Sequence, residues 1–249
     1  MGFECDSKFE VRRTQMKEKE KIVAVVLAGG QGHRMQSKIP KQYLLLEGKP
    51  ILYYSLMAFE RSQVDEIILV TNEREYCEEK IVKRYKINKV VKIVTGGTER
   101  YHSVYEGLKE CRDCGVVLIH DGARPFLTDE MIERAIEGGK KYKACILGMP
   151  VKDTIKISDG NGYVKETPER AKVWMVQTPQ SFSYKVIYSA YQQFIKEEEQ
   201  VTDDAMVVEK FSGIPVRLIE GSYENIKITT PEDLVIAEQI AKKYLSKLE

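Results

Sequence analysis

The first 150 residues alternate short apolar runs with longer amphipathic segments. The apolar runs predict strands over 22–28, 66–71, 90–95, 115–120 and 144–150. The segments between them predict helices over 51–61, 73–86, 100–112 and 128–141. Because strands that alternate with helices pair in parallel, the pattern predicts an α/β fold with a mostly parallel sheet and helices on both faces.

The alternation changes after Val151. Extended runs at 154–157 and 173–176 flank the turn sequence Asp159-Gly160-Asn161-Gly162, and together they predict a protruding β-arm over residues 152–178. A two-stranded arm is only marginally stable on its own. We therefore expect the arm to pack on another subunit, which predicts a homodimer.

The last third of the chain returns to helices. The pattern predicts helices over 184–198 and 202–211 and a strand over 215–220. A final helix is predicted to begin with Thr230 as its N-cap and Pro231 at the first helical position. Residues 1–20 are polar and charged, so we expect a flexible extension followed by one domain over 21–249.

The glycine-rich segment after the first predicted strand is the clearest candidate for chemistry. Residues 28–41 read AGGQGHRMQSKIPK. Glycines let backbone N–H groups approach a ligand closely, and Arg34 and Lys41 add cations to the same loop. This combination suits a polyphosphate, although a plain strand-exit turn with solvated cations fits these residues equally well. Neither the dinucleotide-binding fingerprint nor the P-loop spacing is present.

Two further polar segments follow predicted strands. One is GGTER at 96–100, with Ser103 one turn into the next helix, and the other is HDGARP at 120–125. Ligands of parallel sheets bind beyond the carboxyl ends of the strands, so we expect these segments to meet the glycine loop in one crevice. Asp121 is a candidate Mg²⁺ ligand there, because Mg²⁺ prefers oxygen donors. Turn and helix capping are the alternative roles for Asp121 and Ser103.

Composition excludes several classes of protein. The net charge is +1, from 39 basic and 38 acidic residues, which gives no long-range attraction to nucleic acid or membranes. The apolar runs are too short to span a bilayer, and the first residues lack the apolar core of a secretion signal. Cys111 and Cys114 have metal-site spacing but no second ligand pair accompanies them. A reducing cytoplasm is therefore the expected location.

Many short motifs occur in one order along the chain. They are AGGxGxRM at 28–35, PKQ at 40–42, GxER at 97–100, SV at 103–104, HDxARP at 120–125, DT at 153–154, QTPQ at 177–180, TD at 202–203 and NIKxTxPED at 225–233. Together they resemble the 2-C-methyl-D-erythritol 4-phosphate cytidylyltransferase family of the non-mevalonate isoprenoid pathway. The resemblance covers residues 21–245.

The resemblance implies a Rossmann-like nucleotidyltransferase fold, CTP as co-substrate, Mg²⁺, and a homodimer joined through the β-arm. It implies catalytic roles for Arg34, Lys41, Arg170 and Lys227, with Asp121 as the metal ligand. It implies nucleotide contacts at Ala28, Gly29, Gly30, Gly32, His33, Gly97, Thr98, Ser103 and Gly122. It implies substrate contacts at Arg124, Thr178 and Thr202. Because Arg170 lies on the arm, it would act in the site of the neighbouring subunit.

Three positions depart from the family pattern. His33 stands where members often carry Lys or Arg, His102 where an acidic residue is common, and Gly122 where alanine is frequent. None of these changes removes a charged group with an implied catalytic role.

Other functions remain open at this stage. Ribitol-5-phosphate cytidylyltransferase shares the glycine loop and the QTPQ segment, although residues 150–154 and 202–204 look closer to the erythritol enzyme. A sugar-1-phosphate nucleotidyltransferase usually carries a longer GxGTRL-type signature, which is absent here. A non-enzymatic nucleotide-binding domain would not need Arg34, Lys41 and Asp121 together.

Overall fold

A computed structural model describes residues 20–30, 35, 39–197 and 199–245. The strands are β1 (Lys21–Leu27), β2 (Leu45–Leu46), β3 (Lys49–Pro50), β4 (Glu66–Val70), β5 (Val90–Val94), β6 (Cys114–Asp121), β7 (Ala144–Pro150), β8 (Ile157–Ser158), β9 (Val164–Glu166), β10 (Trp174–Ser183) and β11 (Arg217–Glu220). The helices are α1 (Ile51–Arg61), α2 (Arg74–Cys77), α3 (Arg100–Leu108), α4 (Asp129–Tyr142), α5 (Tyr184–Glu197), α6 (Asp204–Ser212) and α7 (Pro231–Leu245). None of the helices in these ranges is long and apolar enough to cross a bilayer.

A seven-stranded sheet forms the centre of the molecule, in the order β11-β7-β10-β6-β1-β4-β5. Its pairings are parallel except those of β10, which runs antiparallel to both β6 and β7. Helices cover both faces, so the predicted mostly parallel α/β sheet is confirmed. The predicted strands and helices of the first 150 residues agree with the observed ones to within a few residues.

Strand β10 corrects the predicted extent of the arm. The β-type sequence of residues 174–178 predicts that they belong to the arm, but they lie in the central sheet. Trp174, Met175 and Val176 pair with the carboxyl end of β7, and residues 180–182 then pair with both β6 and β7. Strand β10 lies between β6 and β7 and forms hydrogen bonds with the backbone edge of each. The buried side chain of Phe182 fixes the strand in the core.

The arm itself spans the residues between β7 and β10. Its base is closed by a hydrogen bond from Val151 N–H to the Val173 carbonyl (3.0 Å), and its tip is the short hairpin of β8 and β9. The turn needs its glycines, because Gly160 and Gly162 have φ values of +90° and +93°. Almost every side chain of the arm is exposed to solvent within this chain.

Alternating residues of β1 build the core on both faces of the sheet. Ala24 and Val26 pack with α1 and α4, while Val23 and Val25 pack with α3, α5 and α6. Every residue from Ile22 to Val26 is buried, which is the expected pattern for a central parallel strand. A smaller cluster joins the β2–β3 hairpin to α7.

Helices α2 and α7 can be compared with their predicted limits. The predicted helix over 73–86 is helical, but α2 passes into a π-helical turn over Glu78–Lys83. Helix α7 begins as predicted, because Thr230 Oγ1 accepts from Asp233 N–H (3.4 Å) and the Asp233 carboxylate accepts from Thr230 N–H (2.9 Å). This reciprocal pair is a capping box.

Candidate active site

The register of the central sheet brings the polar segments to one level. Leu27 at the end of β1 pairs with Val70 on one side and with Asp121 on the other. Val70 in turn pairs with Val94 at the end of β5. The segments that follow Leu27 and Val94 therefore emerge beside Asp121, at the carboxyl edge where parallel sheets bind ligands.

The first segment is the start of the glycine loop. Ala28 N–H donates to the Val70 carbonyl (2.7 Å), which continues the sheet by one bond. The buried Gln42 side chain donates to the carbonyls of Ala28 (2.7 Å) and Gly30 (3.2 Å). A Cβ on Gly30 would meet no atom of the described residues within 4 Å, and Gly30 lines the cleft. The Gln42 side chain therefore holds the start of the glycine loop through its carbonyl groups.

The second segment is a tight turn at Gly96 and Gly97 ahead of α3. Gly97 N–H donates to Ser103 Oγ (3.1 Å), and Ser103 Oγ donates to the Glu99 carbonyl (3.3 Å). A Cβ on Gly97 would lie 2.3 Å from the Cβ of His102, so only glycine fits this turn. His102 Nδ1 accepts from Glu99 N–H (3.4 Å) and thereby caps the start of α3.

Asp121 lies between two cations. Arg100 Nε donates to its Oδ1 (3.1 Å), and Lys227 Nζ donates to its Oδ2 (2.7 Å). Burial alone would raise the pKa of the Asp121 carboxyl, but the charges of Arg100, Lys227 and Arg124 hold that pKa well below its ordinary value. The carboxylate is therefore ionised at neutral pH and is available as an anionic ligand.

The backbone of Asp121 is fixed from behind by buried side chains. Asp121 N–H donates to Thr178 Oγ1 (3.0 Å), which is also 3.1 Å from His120 Nδ1. His120 Nε2 lies 3.2 Å from the Arg124 carbonyl, an atom that can only accept. Burial lowers the pKa of His120 to about 4, so the ring is neutral, donates to that carbonyl from Nε2 and accepts from Thr178 at Nδ1.

Most of the predicted site residues line a single cleft. Those that the structure describes on its wall are Ala28, Gly29, Gly30, Lys41, Gly97, Thr98, Ser103, Asp121 and Lys227. Leu27, Gln42, Glu99, Arg100 and Ala123 complete the lining. Gly32, His33 and Arg34 lie outside the described residues. Segments far apart in sequence therefore converge on one crevice, as the strand ends predicted.

Five predicted residues that the structure describes lie off the wall of this cleft. Gly122 donates its N–H to the Leu27 carbonyl (2.9 Å), and Thr178 is 4% exposed and supports Asp121 as described above. Arg124 donates to the Asn225 carbonyl (2.8 Å). Thr202 and Arg170 are exposed, and Arg170 donates to the Lys152 carbonyl (3.3 Å) at the base of the arm.

Gly122 is also tightly packed. A Cβ at this position would lie 2.7 Å from Leu52 Cδ1 and 2.9 Å from the Leu27 carbonyl oxygen. The glycine at this departure from the family pattern is therefore matched to its local surroundings. Gly122 also helps to close the turn behind the cleft, and the nucleotide contact implied for it stays a prediction.

Sequence reasoning missed the most highly connected residue of the site. Arg100 donates to Asp121 and, through both terminal nitrogens, to Asp204 (3.0 and 2.9 Å). Arg100 belongs to the GxER motif, but its partner lies 104 residues away. The sequence around Arg100 does not indicate this pairing. Considered alone, Asp204 is interpreted as part of the N-terminal cap of α6.

The donor set of the cleft fits one class of metal. No cluster of three or more His, Cys, Asp or Glu side chains that could hold a metal occurs within the described ranges. The Asp121 carboxylate on the wall of the cleft suits Mg²⁺, which takes most of its ligands from substrate phosphates and water. It does not suit a structural zinc site, which needs four protein ligands.

Comparison with known proteins places the chain in a family. The sequence profile described as IspD, 2-C-methyl-D-erythritol 4-phosphate cytidylyltransferase, matches residues 22–243. The chain belongs to this cytidylyltransferase family. The resemblance inferred from the ordered motifs is thereby confirmed. The matched range contains the glycine loop, the turn before α3, Asp121 and Lys227, so the whole described cleft lies within the part shared with the cytidylyltransferases.

Individual cytidylyltransferases give the same picture. The enzyme of Clostridium kluyveri is 51% identical over 224 residues, which is 89% of this chain and 96% of that protein. The enzyme of Lachnoclostridium phytofermentans is 48% identical over 90% of this chain and 98% of that protein. The crystal structure of the 4-diphosphocytidyl-2C-methyl-D-erythritol synthase of Anaerococcus prevotii superposes with a TM-score of 0.80, at 36% identity over 90% of this chain and 96% of that chain.

Proposed function

We propose that this protein transfers the cytidylyl group of CTP to 2-C-methyl-D-erythritol 4-phosphate, giving 4-diphosphocytidyl-2-C-methyl-D-erythritol and pyrophosphate. An oxygen of the acceptor phosphate attacks the α-phosphorus of CTP, and the bond from that phosphorus to the bridging oxygen of the β-phosphate breaks. The observation that carries this proposal is the cleft in which the glycine loop, the Gly97 turn, Asp121 and Lys227 converge. The 51% identity to a named cytidylyltransferase supports the choice of substrates.

The reaction depends on positioning of the reactants and on charge stabilisation more than on proton transfer. Both reactants are anions, and negative charge grows on the leaving pyrophosphate as the bond breaks. Lys41 and Lys227 both line the cleft and supply cations to the phosphates. We assign Arg34 to the same task on the strength of the family motif. The backbone at 28–30 and 97–98 holds the nucleotide.

A divalent cation belongs to this proposal, with Asp121 as its protein ligand. When bound, Mg²⁺ would neutralise charge on the phosphate oxygens that it contacts. Asp121 supports the assignment because its carboxylate is ionised and lies on the cleft wall. Lys227 donates to Oδ2 of Asp121 through a single ammonium group, on a side chain that is about one third exposed, so this oxygen is the one that can be released to a cation.

We also propose that the arm forms a contact between the two subunits of a homodimer. Exposed apolar side chains line the arm and the adjoining start of β10, and they are Ile155, Ile157, Tyr163, Val164, Met175 and Val176. A second copy of the chain would cover these side chains and gain their hydrophobic burial. Arg170, which lies on the arm and away from its own chain's cleft, would then reach the cleft of the partner.

Pyrophosphate release tests the proposed reaction. The enzyme is incubated with Mg²⁺ and each of CTP, UTP, ATP and GTP, with and without 2-C-methyl-D-erythritol 4-phosphate. We expect pyrophosphate only from CTP together with the acceptor. Release from another nucleotide at a comparable rate would contradict the assignment of CTP. No release from any pair by a folded enzyme would contradict the enzymatic function itself.

A further inference from the structure

Arg100 links the candidate catalytic carboxylate to a charge that the cleft does not reach. Its Nε donates to Asp121 Oδ1 (3.1 Å), while Nη1 and Nη2 donate to the two carboxylate oxygens of Asp204 (3.0 and 2.9 Å). All three nitrogens of the guanidinium group are therefore engaged. Paired bonds of this kind fix the plane of the group as well as its position.

Asp204 is itself held firmly. Its side chain is completely buried, and Tyr191 Oη donates to its Oδ1 (2.6 Å). The backbone N–H groups of Asp204 and Ala205 donate to Gln180 Oε1 (3.1 and 3.0 Å), which ties the first turn of α6 to β10. Burial, followed by the charge of Asp204, raises the pKa of Tyr191 well above its ordinary value, so its hydroxyl remains a donor.

Stability alone does not explain the ion pair between Arg100 and the buried Asp204. A buried ion pair rarely stabilises a fold more than apolar side chains of the same volume would. This pair, however, ends at the wall of the cleft. Arg100 gives Asp121 one rigid partner, whereas the Lys227 ammonium is a single point charge on a flexible, partly exposed side chain.

We propose that Arg100 is a positioning residue, anchored by Asp204, that keeps Oδ1 of Asp121 occupied and so leaves Oδ2 as the carboxylate oxygen presented to the cleft. The inference rests on the proposed function, because it assigns a role within that reaction. It predicts that Asp204, which cannot touch a substrate, controls turnover through Arg100.

The direct test is Asp204→Asn, which keeps the shape of the side chain and removes its charge. We expect kcat to fall about 30-fold while KM for CTP changes less than threefold, because the nucleotide cradle is untouched. Tyr191→Phe removes one bond to Asp204 and should lower kcat about threefold. Tyr188→Phe is the matched control, since Tyr188 lies on the same helix and stacks on Tyr105 and Tyr184.

A double-mutant cycle separates positioning from a general loss of structure. Arg100→Gln removes the fork, and Asp204→Asn is then added to that variant. If Asp204 acts through Arg100, the second change should lower kcat less than twofold. A further loss as large as that of Asp204→Asn alone would overturn the inference. So would a folded Asp204→Asn enzyme with the kcat of the wild type.

Folding and wild-type activity are checked first. Circular dichroism and thermal unfolding establish the folded fraction of each variant. If Asp204→Asn does not fold, Tyr191→Phe decides, and a kcat equal to that of Tyr188→Phe would overturn the inference. An inactive wild-type enzyme would overturn both the proposed function and this inference, whereas an active wild type with unaffected variants would overturn the inference alone.

Discussion

At the scale of single residues, Asp121 is the centre of the site. Its carboxylate meets Arg100 and Lys227, and its backbone is fixed by Thr178 and His120. Each contact comes from a different segment of the chain. The position of this one carboxylate therefore depends on the correct packing of β6, β10, α3 and the segment before α7.

Lys41→Ala tests the role of the glycine loop in the reaction. Loss of one preorganised charge contact typically lowers turnover by on the order of 10²–10³, and because Lys41 is only partly exposed, the stability of the variant is measured beside its turnover. Lys140→Ala, on the exposed face of α4, is the matched control. Steady-state kinetics and thermal unfolding are measured on all three proteins. Turnover close to that of Lys140→Ala would remove Lys41 from the catalytic residues.

Asp121→Asn tests the assignment of the metal. A neutral amide is a poor ligand for Mg²⁺, so we expect turnover to fall by at least about 10²-fold. The change also leaves two cations without their shared anion, which should cost about 3 kcal/mol of stability. Kinetics are therefore measured on the folded fraction across a Mg²⁺ titration, with Asp129→Asn in the first turn of α4 as control. Equal activity of the variant and the control at every Mg²⁺ concentration would rule out the metal role.

The sequence identified the residues of the site better than the contacts among them. Asp121, Ser103 and Lys41 were predicted because each follows a strand end or a motif, and all three line the cleft. The support of Asp121 by Thr178 and Arg100 could not be predicted, because those bonds join segments that only the folded sheet brings together. Thr178 and Gly122 carry motif signals, yet neither lines the cleft, and the ligand contacts implied for them stay predictions.

At the scale of secondary structure, the capping box of α7 gives a pH-dependent prediction. Burial would raise the pKa of Asp233, but bonds from the hydroxyl and N–H of Thr229 and from Thr230 N–H hold it below its ordinary value of 3.8. The stabilisation is therefore present above about pH 4 and is lost as the pH falls below it. Asp233→Asn should lower the free energy of unfolding by about 1 kcal/mol at pH 7 and by less at pH 3.

Urea unfolding at both pH values measures this difference. Glu238→Gln, an exposed change on the same helix, is the matched control. Because Asp233 is partly exposed, the measurement is made at low salt, where charge interactions are least screened. An Asp233→Asn effect of the same size at pH 7 and pH 3 would show that the carboxylate charge plays no part in the cap.

The secondary-structure elements that were predicted are those for which the hydrophobic pattern of the segment is sufficient. The fully apolar sequence of β1 indicated a central parallel strand, and burial of Ile22–Val26 bears this out. The antiparallel insertion of β10 between β6 and β7 was not predicted, because a β-type sequence does not state which edge it joins. For the same reason residues 174–178 were assigned to the arm.

At the scale of the whole molecule, the proposed dimer makes a specific prediction about shared sites. If Arg170 completes the partner's cleft, an inactive Arg170→Ala chain and an inactive Lys41→Ala chain should regain activity when mixed. The heterodimer would contain one cleft with both residues intact and one with neither. Subunit exchange is verified with two affinity tags before activity is measured. Sustained inactivity after verified exchange would contradict the shared site, and a monomer in solution would contradict the dimer.

The proposed reaction pairs CTP with one particular polyol phosphate. The most direct measurement is a competition in one tube, with CTP, Mg²⁺ and equal amounts of 2-C-methyl-D-erythritol 4-phosphate and ribitol 5-phosphate, followed by phosphorus NMR. We expect the diphosphate resonances of 4-diphosphocytidyl-2-C-methyl-D-erythritol to grow while ribitol 5-phosphate is unchanged. Preferential formation of the ribitol diphosphate product would contradict the account.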